Sequence, residues 1–425
     1  MERPQREKLT IAEVLNYSAA NFVNRYSPPP QVQSTLAKLS LCRTAALGGR
    51  RYRCDGCFTD CIIHNSCGDR HCPKCSGARR SDWLDSASGL ILDGVDYFQV
   101  VFTLPSELSS LALGNRREIY DLLFASAWKA LSETVQAEQG YDAAALMVLH
   151  TWNQTLQPHA HVHAVVPGAG PSLEGNHWRI AQKENDAASA GRYLVNADDL
   201  RDAYRQAFLS GLDDLYARGE LKLQGDFAHL NDHAAWQSLL DQLHTVTWVS
   251  YIQPPPHDCD TDHVLKYLAR YLTGGPISDS RIVAADEKEV TFLAREGTSP
   301  GGERKQVPVT LSATEFTRRW SQHILPKGYT KTRRFGGYSN RRRDEYLERC
   351  SKQLEAISAP LPDEATDFGP FPAKAADLGD ADGAQEKRSH ACPSCGKAMN
   401  LQAVQDKPSW SEIMGSTHRP SWYHS

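Results

Sequence analysis

The 425-residue sequence contains no apolar run of membrane-spanning length; a stretch such as Phe98 to Leu104 is only strand-sized. It has no excess of charge of either sign. With 47 basic and 51 acidic residues the formal net charge is -4, so any surface that attracts a polyanion must be local. It has no Gly-x4-Gly-Lys-Ser/Thr loop, which sets aside nucleotide hydrolysis of the P-loop kind. Its start, Met1-Glu2-Arg3-Pro4-Gln5-Arg6-Glu7-Lys8, is charged with no apolar stretch behind it and does not read as a signal peptide. Eleven cysteines in such a chain argue for thiolate metal ligands rather than disulfides, and for a cytosolic protein. The length allows two or three domains with a sizeable core, and the composition is that of an ordinary soluble globular chain.

Residues 1–40 read as helical, with Ile11, Val14, Leu15, Val32, Leu36 and Leu39 as apolar positions and Pro28-Pro29-Pro30 as the break. Two Cys-x2-Cys knuckles follow, Cys54/Cys57 and Cys72/Cys75, separated by 14 residues. Four thiolates at this spacing match a zinc ribbon, so these four are the expected Zn2+ ligands. Whether Cys61, His64, Cys67 or His71 replaces one of them, or forms a second site, stays open. Arg43, Arg70, Lys74, Arg79 and Arg80 make the same segment basic. A zinc-stapled basic module suits DNA, although such modules also bind proteins. Residues 1–90 are therefore expected to form a helical, zinc-ribbon DNA-binding domain.

Tyr97 to Leu104, aromatic and β-branched, predicts a strand stopped by Pro105. Ile119, Leu122, Leu123, Ala127 and Leu131 stripe a helix over 116–137. Ala144 to Trp152 and Ala160 to Val166 predict two further strands joined by a hairpin loop, Asn153 to Pro158. On the second of these, His159, His161 and His163 recur at period two and share a face. Such a face is either polar and solvated or a metal site. If the loop is centred, residue 150 lies opposite 161, and His150 joins His161 and His163. A one-residue slip would remove it, leaving Gln154 or His159 as third ligand.

Residues 190–245 read as helical, 248–252 as a strand, 281–311 as short strands and 314–325 as a helix. The run Lys331, Arg333, Arg334, Phe335, then Arg341, Arg342 and Arg343, mixes cations with an aromatic ring, suiting either a nucleic-acid backbone or a solvated surface. Residues 351–390, rich in Pro, Ala, Gly and Asp over most of their length, predict a flexible linker. Beyond it, 391–425 carries Cys392-x2-Cys395, half a zinc site, with His418 and His424 as candidate partners. Residues 91–350 are left as the catalytic domain.

Asp262 is placed to cap a helix over 263–272, on which Val264, Leu268 and Leu272 form an apolar stripe. Tyr267 and Tyr271, at i and i+4, stand together on its flank. Such a pair is often only the rim of a buried helix. Beside a metal-binding histidine strand, two phenols offer nucleophiles for a covalent phosphotyrosine link, a metal polarising the phosphoryl group. A free phenol titrates near pH ~10, so a metal or a cation such as Lys266 must help to deprotonate it.

These stretches together resemble the HUH transposases of rolling-circle insertion sequences, the two-tyrosine class typified by insertion sequence 91. The matching segments are Cys42-Arg43-Thr44, Asn65-Ser66-Cys67 through Cys72-Pro73-Lys74-Cys75, and Phe102-Thr103-Leu104-Pro105. His150-Thr151-Trp152, His161-Val162-His163, Tyr267-Leu268-Ala269-Arg270-Tyr271 and His323-Ile324-Leu325-Pro326-Lys327-Gly328 complete the set, in order, across about residues 35 to 345. The resemblance implies an α+β fold: a palm-like antiparallel sheet flanked by helices, with an N-terminal zinc-binding domain. It also implies single-stranded DNA as substrate, His161 and His163 as ligands of catalytic Mg2+ or Mn2+, and Tyr267 and Tyr271 as nucleophiles. From the ligands alone, histidines favour zinc or manganese over magnesium. Without a helicase motif, unwinding is expected from the host's replication machinery, which places the protein in the cytoplasm with the nucleoid.

Three rival readings remain. A plasmid replication initiator or conjugative relaxase shares the histidine–tyrosine chemistry. A non-catalytic zinc DNA-binding repressor would keep the basic module alone. A transposase with acidic ligands on an RNase H-like fold would leave the histidine strand and the tyrosine pair unexplained.

Overall fold

The computed structural model describes residues 10–75, 87–175, 177–255, 275–296, 305–358 and 390–423. The chain divides into two compact units. The first comprises Met1–Ser40, Gly68–Leu354 and Pro420–Ser425, the second Leu41–Cys67 and Glu355–Arg419.

The first unit begins with helices α1 (Ile11–Tyr26) and α2 (Pro30–Ser40). Thr10 opens α1 with a capping box: its side chain takes the Glu13 N–H while the Glu13 carboxylate takes the Thr10 N–H. Pro30 occupies the first turn of α2, where its missing N–H costs nothing.

In the second unit lie β1 (Gly49–Cys54) and β2 (Asp60–His64). The first unit continues with β3 (Tyr97–Thr103), α3 (Arg116–Gln139), β4 (Ala144–Trp152), β5 (Pro158–Pro167), α4 (Ala197–Ala217), α5 (His233–Thr245) and β6 (Val249–Gln253). Then come β7 (Ile282–Ala285), β8 (Glu289–Glu296), β9 (Lys305–Ser312), α6 (Ala313–Ser321), β10 (Thr332–Gly336) and α7 (Arg343–Ser358). The second unit closes with β11 (Met399–Gln405).

The main sheet is antiparallel with strand order β10-β4-β5-β3-β6. Because side chains alternate along each strand, its two faces receive different residues. One face sends Val100, Phe102, Met147, Leu149, Val162 and Ala164, all fully buried, into the core beneath α3 and α4. Phe102 meets the Tyr204 ring of α4 edge-on at 5.1 Å. Burial at such positions stabilises by roughly 1.5–3 kcal/mol per large side chain.

Among the described residues, the other face is covered over only part of its area. There Tyr97, Leu146, Val148 and Val165 pack with Tyr338 and with Tyr346 and Cys350 of α7. Past Val148 the same face carries His150, His161 and His163. Val249 and Tyr251 of β6, nearby on that face, are 44% and 43% exposed.

A smaller antiparallel sheet, β7-β8-β9 in space, leans on α6 through Phe292 and Phe316, whose rings are 5.9 Å apart. Helix α1 packs on α6, where the buried hydroxyls of Ser18 and Thr317 hydrogen-bond.

This is the α+β architecture with an antiparallel sheet flanked by helices that the resemblance implied. Two segments depart from the sequence reading. The helix expected over 314–325 stops at Ser321, because His323 turns inward to bond the hairpin loop. The basic run after Lys331 is partly a strand: β10 pairs along β4, with Thr332 opposite Val148 and Gly336 opposite Ala144. The helix 263–272, and with it Tyr267 and Tyr271, lies outside the described residues, as do Arg79, Arg80 and most of the expected linker.

Candidate metal centre

Strands β4 and β5 pair with His150 opposite His161 and Val148 opposite His163, the register that a centred loop predicts. The loop is built for this. Asn153 accepts the N–H groups of Thr155 and Gln157 through its side chain, an Asx turn that brings the strands back together. Leu156 sits at φ 64°, in the left-handed region that branched residues avoid. The buried His323 holds it there: its Nε2–H donates to the Leu156 carbonyl at 3.1 Å and its Nδ1 accepts from the Thr151 hydroxyl at 3.1 Å. Burial pushes the His323 imidazole down to about 4, so it stays neutral.

The result is a triad. Donor atoms of His150, His161 and His163 all lie within 4.8 Å of one another, close enough for one ion to be held between them. The Nδ1–H of His161 donates to the His159 carbonyl at 2.8 Å, which leaves Nε2 with its lone pair available. The Gln99 side-chain amide, from β3, lies 2.6 Å from Nδ1 of His163. The contacting atom is the amide nitrogen, Nε2, which donates to Nδ1 and fixes the orientation of the ring beside the other two histidines. Burial drives His161 well below the ordinary imidazole range, and burial with the nearby Lys331 charge brings His163 to about 4. Neutral imidazoles are what a metal requires. His159 stands beside His161, ring centres 5.2 Å apart, but is not part of the triad; the Gln154 carbonyl accepts from Arg281 in the loop.

Lys331 gives the site its charge. Its ammonium lies 5.1 Å over the Trp152 ring, and that ring stacks on His150 at 4.7 Å. Burial, and then the neighbouring Arg70, lower it to about 8, so it remains largely cationic at neutral pH. On the same sheet face a cleft of about 600 Å³ runs past Thr332, Arg334 and Leu146.

The other cations expected to face a polyanion have mixed positions. Arg333 forms an ion pair with Asp121 and lies over the Phe124 and Tyr329 rings, 4.4 and 5.1 Å away. Arg342 pairs with Asp142. Arg70 donates to the carbonyls of Pro326 (2.7 Å) and Tyr329, closing the turn after α6. These three hold the first unit together. Arg43 and Arg341 are exposed, and Lys74 and Arg334 are half-buried.

The expected quartet Cys54, Cys57, Cys72 and Cys75 does not form. Cys54 and Cys57 meet Cys392 and Cys395 instead, because β11 pairs along β1 and carries the tail knuckle to the hairpin tip. Cys72 and Cys75 form a separate tight turn in the first unit, with the Cys75 N–H on the Cys72 carbonyl at 3.1 Å. His71, left open as a ligand, accepts the Leu325 N–H at Nε2 and contacts Asp69 through Nδ1. His64 donates through Nδ1 to the Gly48 carbonyl. Gln99 escaped the sequence reading, since one polar residue in an apolar strand carries no pattern of its own.

Residues 144–345 match the family model described as "Putative transposase", and residues 14–104 match a "Transposase zinc-binding domain". The chain is 34% identical over 357 residues to the protein named "Putative transposase y4qJ" of Sinorhizobium fredii (strain NBRC 101917 / NGR234), covering 81% of this chain and 86% of that one. It is 26% identical over 340 residues to the "Transposase for insertion sequence element IS801" of Pseudomonas savastanoi pv. phaseolicola, covering 79% of this chain and 77% of that one. No solved structure matches. The chain belongs to the transposases of the insertion sequence 91 family. DNA is accordingly its partner, and the zinc-binding domain with its cysteine cluster supports a structural zinc ion. No described helix is long and apolar enough to cross a membrane.

Proposed function

We propose that the protein nicks single-stranded DNA at the ends of its element and joins the freed strand to a target, by attack of a tyrosine on the scissile phosphate. What carries this reading is the convergence of His150, His161 and His163 on one face of the main sheet, near the Lys331 ammonium over the Trp152 ring. The three histidine donors fit a divalent ion, Mn2+ better than Mg2+, which when bound would polarise a phosphoryl oxygen and fix its orientation. His161 and His163 are pre-aimed by the His159 carbonyl and the Gln99 amide. Lys331 attracts the phosphate and offsets charge as it accumulates on the phosphoryl oxygens.

The nucleophiles are Tyr267 and Tyr271. One phenolate oxygen bonds to phosphorus while the bond to O3′ breaks; O3′ takes up a proton, giving a 5′-phosphotyrosine and a free 3′-hydroxyl. The link conserves bond energy for the later joining step, in which a 3′-hydroxyl attacks the phosphotyrosine and releases the tyrosine. A second tyrosine allows donor and target strands to be handled in turn, as rolling-circle transposition requires. Exposed Arg43 and Arg341, with Arg334, Lys74, Arg79 and Arg80, supply backbone contacts. Unwinding falls to host replication machinery, and the protein acts in the cytoplasm at the nucleoid.

The test is a labelled single-stranded oligonucleotide carrying an element end, incubated with Mn2+ and run on a denaturing gel. A covalent adduct is expected from the wild type and not from the Tyr267→Phe/Tyr271→Phe double variant. Tight binding with no adduct on any authentic end would reduce the chain to a zinc-stapled DNA-binding protein. A second expectation follows from Gln99. Gln99→Leu keeps the volume and removes the amide, and should weaken Mn2+ binding about 10- to 100-fold by titration calorimetry. Unchanged affinity would mean that packing alone orients His163.

A further inference from the structure

The second unit contains a cluster that the matched family segments do not contain whole. Cys54 and Cys57 fall within residues 14–104, but Cys392 and Cys395 lie beyond both matched ranges. We propose that these four thiolates hold one zinc ion, in a site assembled from the two ends of the chain, so that the C-terminal tail is a structural half of the zinc module.

Two observations carry this independently. The first is distance. The Sγ atoms of Cys54 and Cys395 are 3.5 Å apart, as are those of Cys57 and Cys392. A disulfide would bring them to about 2.05 Å. Tetrahedral zinc with bonds of about 2.3 Å sets its sulfurs about 3.8 Å apart, close to what is found.

The second is that the two Cys-x2-Cys turns are copies of one another in backbone bonding. At the hairpin, the Phe58 N–H donates to the Cys54 carbonyl and the Cys54 N–H to the Thr59 carbonyl, at 2.8 and 3.0 Å. At the tail, the Gly396 N–H donates to the Cys392 carbonyl and the Cys392 N–H to the Lys397 carbonyl, at 2.8 and 2.7 Å. The residue after the second cysteine is left-handed in both, Phe58 at φ 58° and Gly396 at φ 72°. A phenylalanine takes that conformation only where the turn imposes it. The paired turns leave each first cysteine buried and each second one exposed, facing each other across a shared point. The Lys397 stem runs against Gly56, where an added Cβ would lie 2.7 Å from its Cδ and 3.3 Å from its ammonium, so a cation accompanies the surplus negative charge of four thiolates.

The sheet completes the module. β1 is its middle strand, bonded to β2 on one side and to β11 on the other. The ligand pairs stand 335 and 341 residues apart, so no such site exists before the unit has folded, and metal binding is part of its folding.

The experiment uses the full-length, zinc-loaded protein and N-ethylmaleimide labelling read by mass spectrometry. Cys54, Cys57, Cys392 and Cys395 should be protected together, and should become labelled together at one chelator concentration. Labelling of Cys392 and Cys395 in the zinc-loaded chain, at the rate of exposed thiols, would overturn the assignment; so would protection that chelator does not relieve. In the Cys392→Ser/Cys395→Ser variant the zinc content should fall by one ion per chain, with Cys54 and Cys57 newly reactive. Unchanged zinc content would sink it equally.

Discussion

Replacing His161 by alanine is expected to cut formation of the tyrosine–DNA adduct at least a thousandfold, with little change in stability. Among the described residues, the His161 ring is held by one hydrogen bond, to the His159 carbonyl. Removing it deletes one of three convergent donors. A bound metal is worth several kcal/mol at the transition state, and three decades in rate correspond to about 4 kcal/mol. His159→Ala is the control, since that imidazole stands next to the triad without belonging to it. Adduct yield and Mn2+ titration should both collapse in the first variant and stay near wild type in the second. The reverse pattern would move the metal centre outward along β5 and undo the assignment of His161.

The largest effect on stability is expected at Gly336, the last residue of β10. Its φ of 58° places it in the left-handed region. A Cβ there would press into the Ala143 carbonyl and lie 2.5 Å from the Trp128 ring, neither of which can move away cheaply. Left-handed backbone costs about 1–2 kcal/mol for a residue with a Cβ, and overpacking about 1–3 kcal/mol more. Gly336→Ala should therefore destabilise the first unit by about 3 kcal/mol, read as a shift in urea midpoint. A shift smaller than about 1 kcal/mol would mean that β10 detaches freely from β4. Detachment would also displace Lys331, whose ammonium lies over the Trp152 ring that stacks on His150.

Gly336 also shows why part of the fold could not be read from the sequence. Thr332-Arg333-Arg334-Phe335-Gly336 has the composition of a solvated basic loop. It is a strand because the outer edge of β4 offers backbone partners, and because Arg333 lies flat on Phe124 and Tyr329 with Asp121 beside it. That is tertiary context, which no local pattern contains. The strands β3, β4 and β5 were legible, since their β-branched and aromatic runs end at prolines and a turn.

The histidine triad was legible for a related reason. One hairpin loop of known length sets a register, and register decides which side chains share a face. The zinc ligands misled because two knuckles 14 residues apart look like partners. Spacing along the chain is a proxy for nearness that fails when a strand arrives from 345 residues away. Gln99 and His323 were hidden because their roles exist only across strands and loops.

The middle position of β1 has a consequence for biosynthesis. During synthesis β1 emerges first, while its partner β11 is still 345 codons from being read. At about 5–20 residues per second that leaves one side of β1 without its strand for roughly 20 to 70 s. A bare strand edge invites pairing with other chains. Arg50, Arg51 and Arg53 stud this one with exposed positive charge throughout the wait. Charge on a strand edge discourages pairing with other chains, and the three-stranded sheet is complete only once β11 has been made.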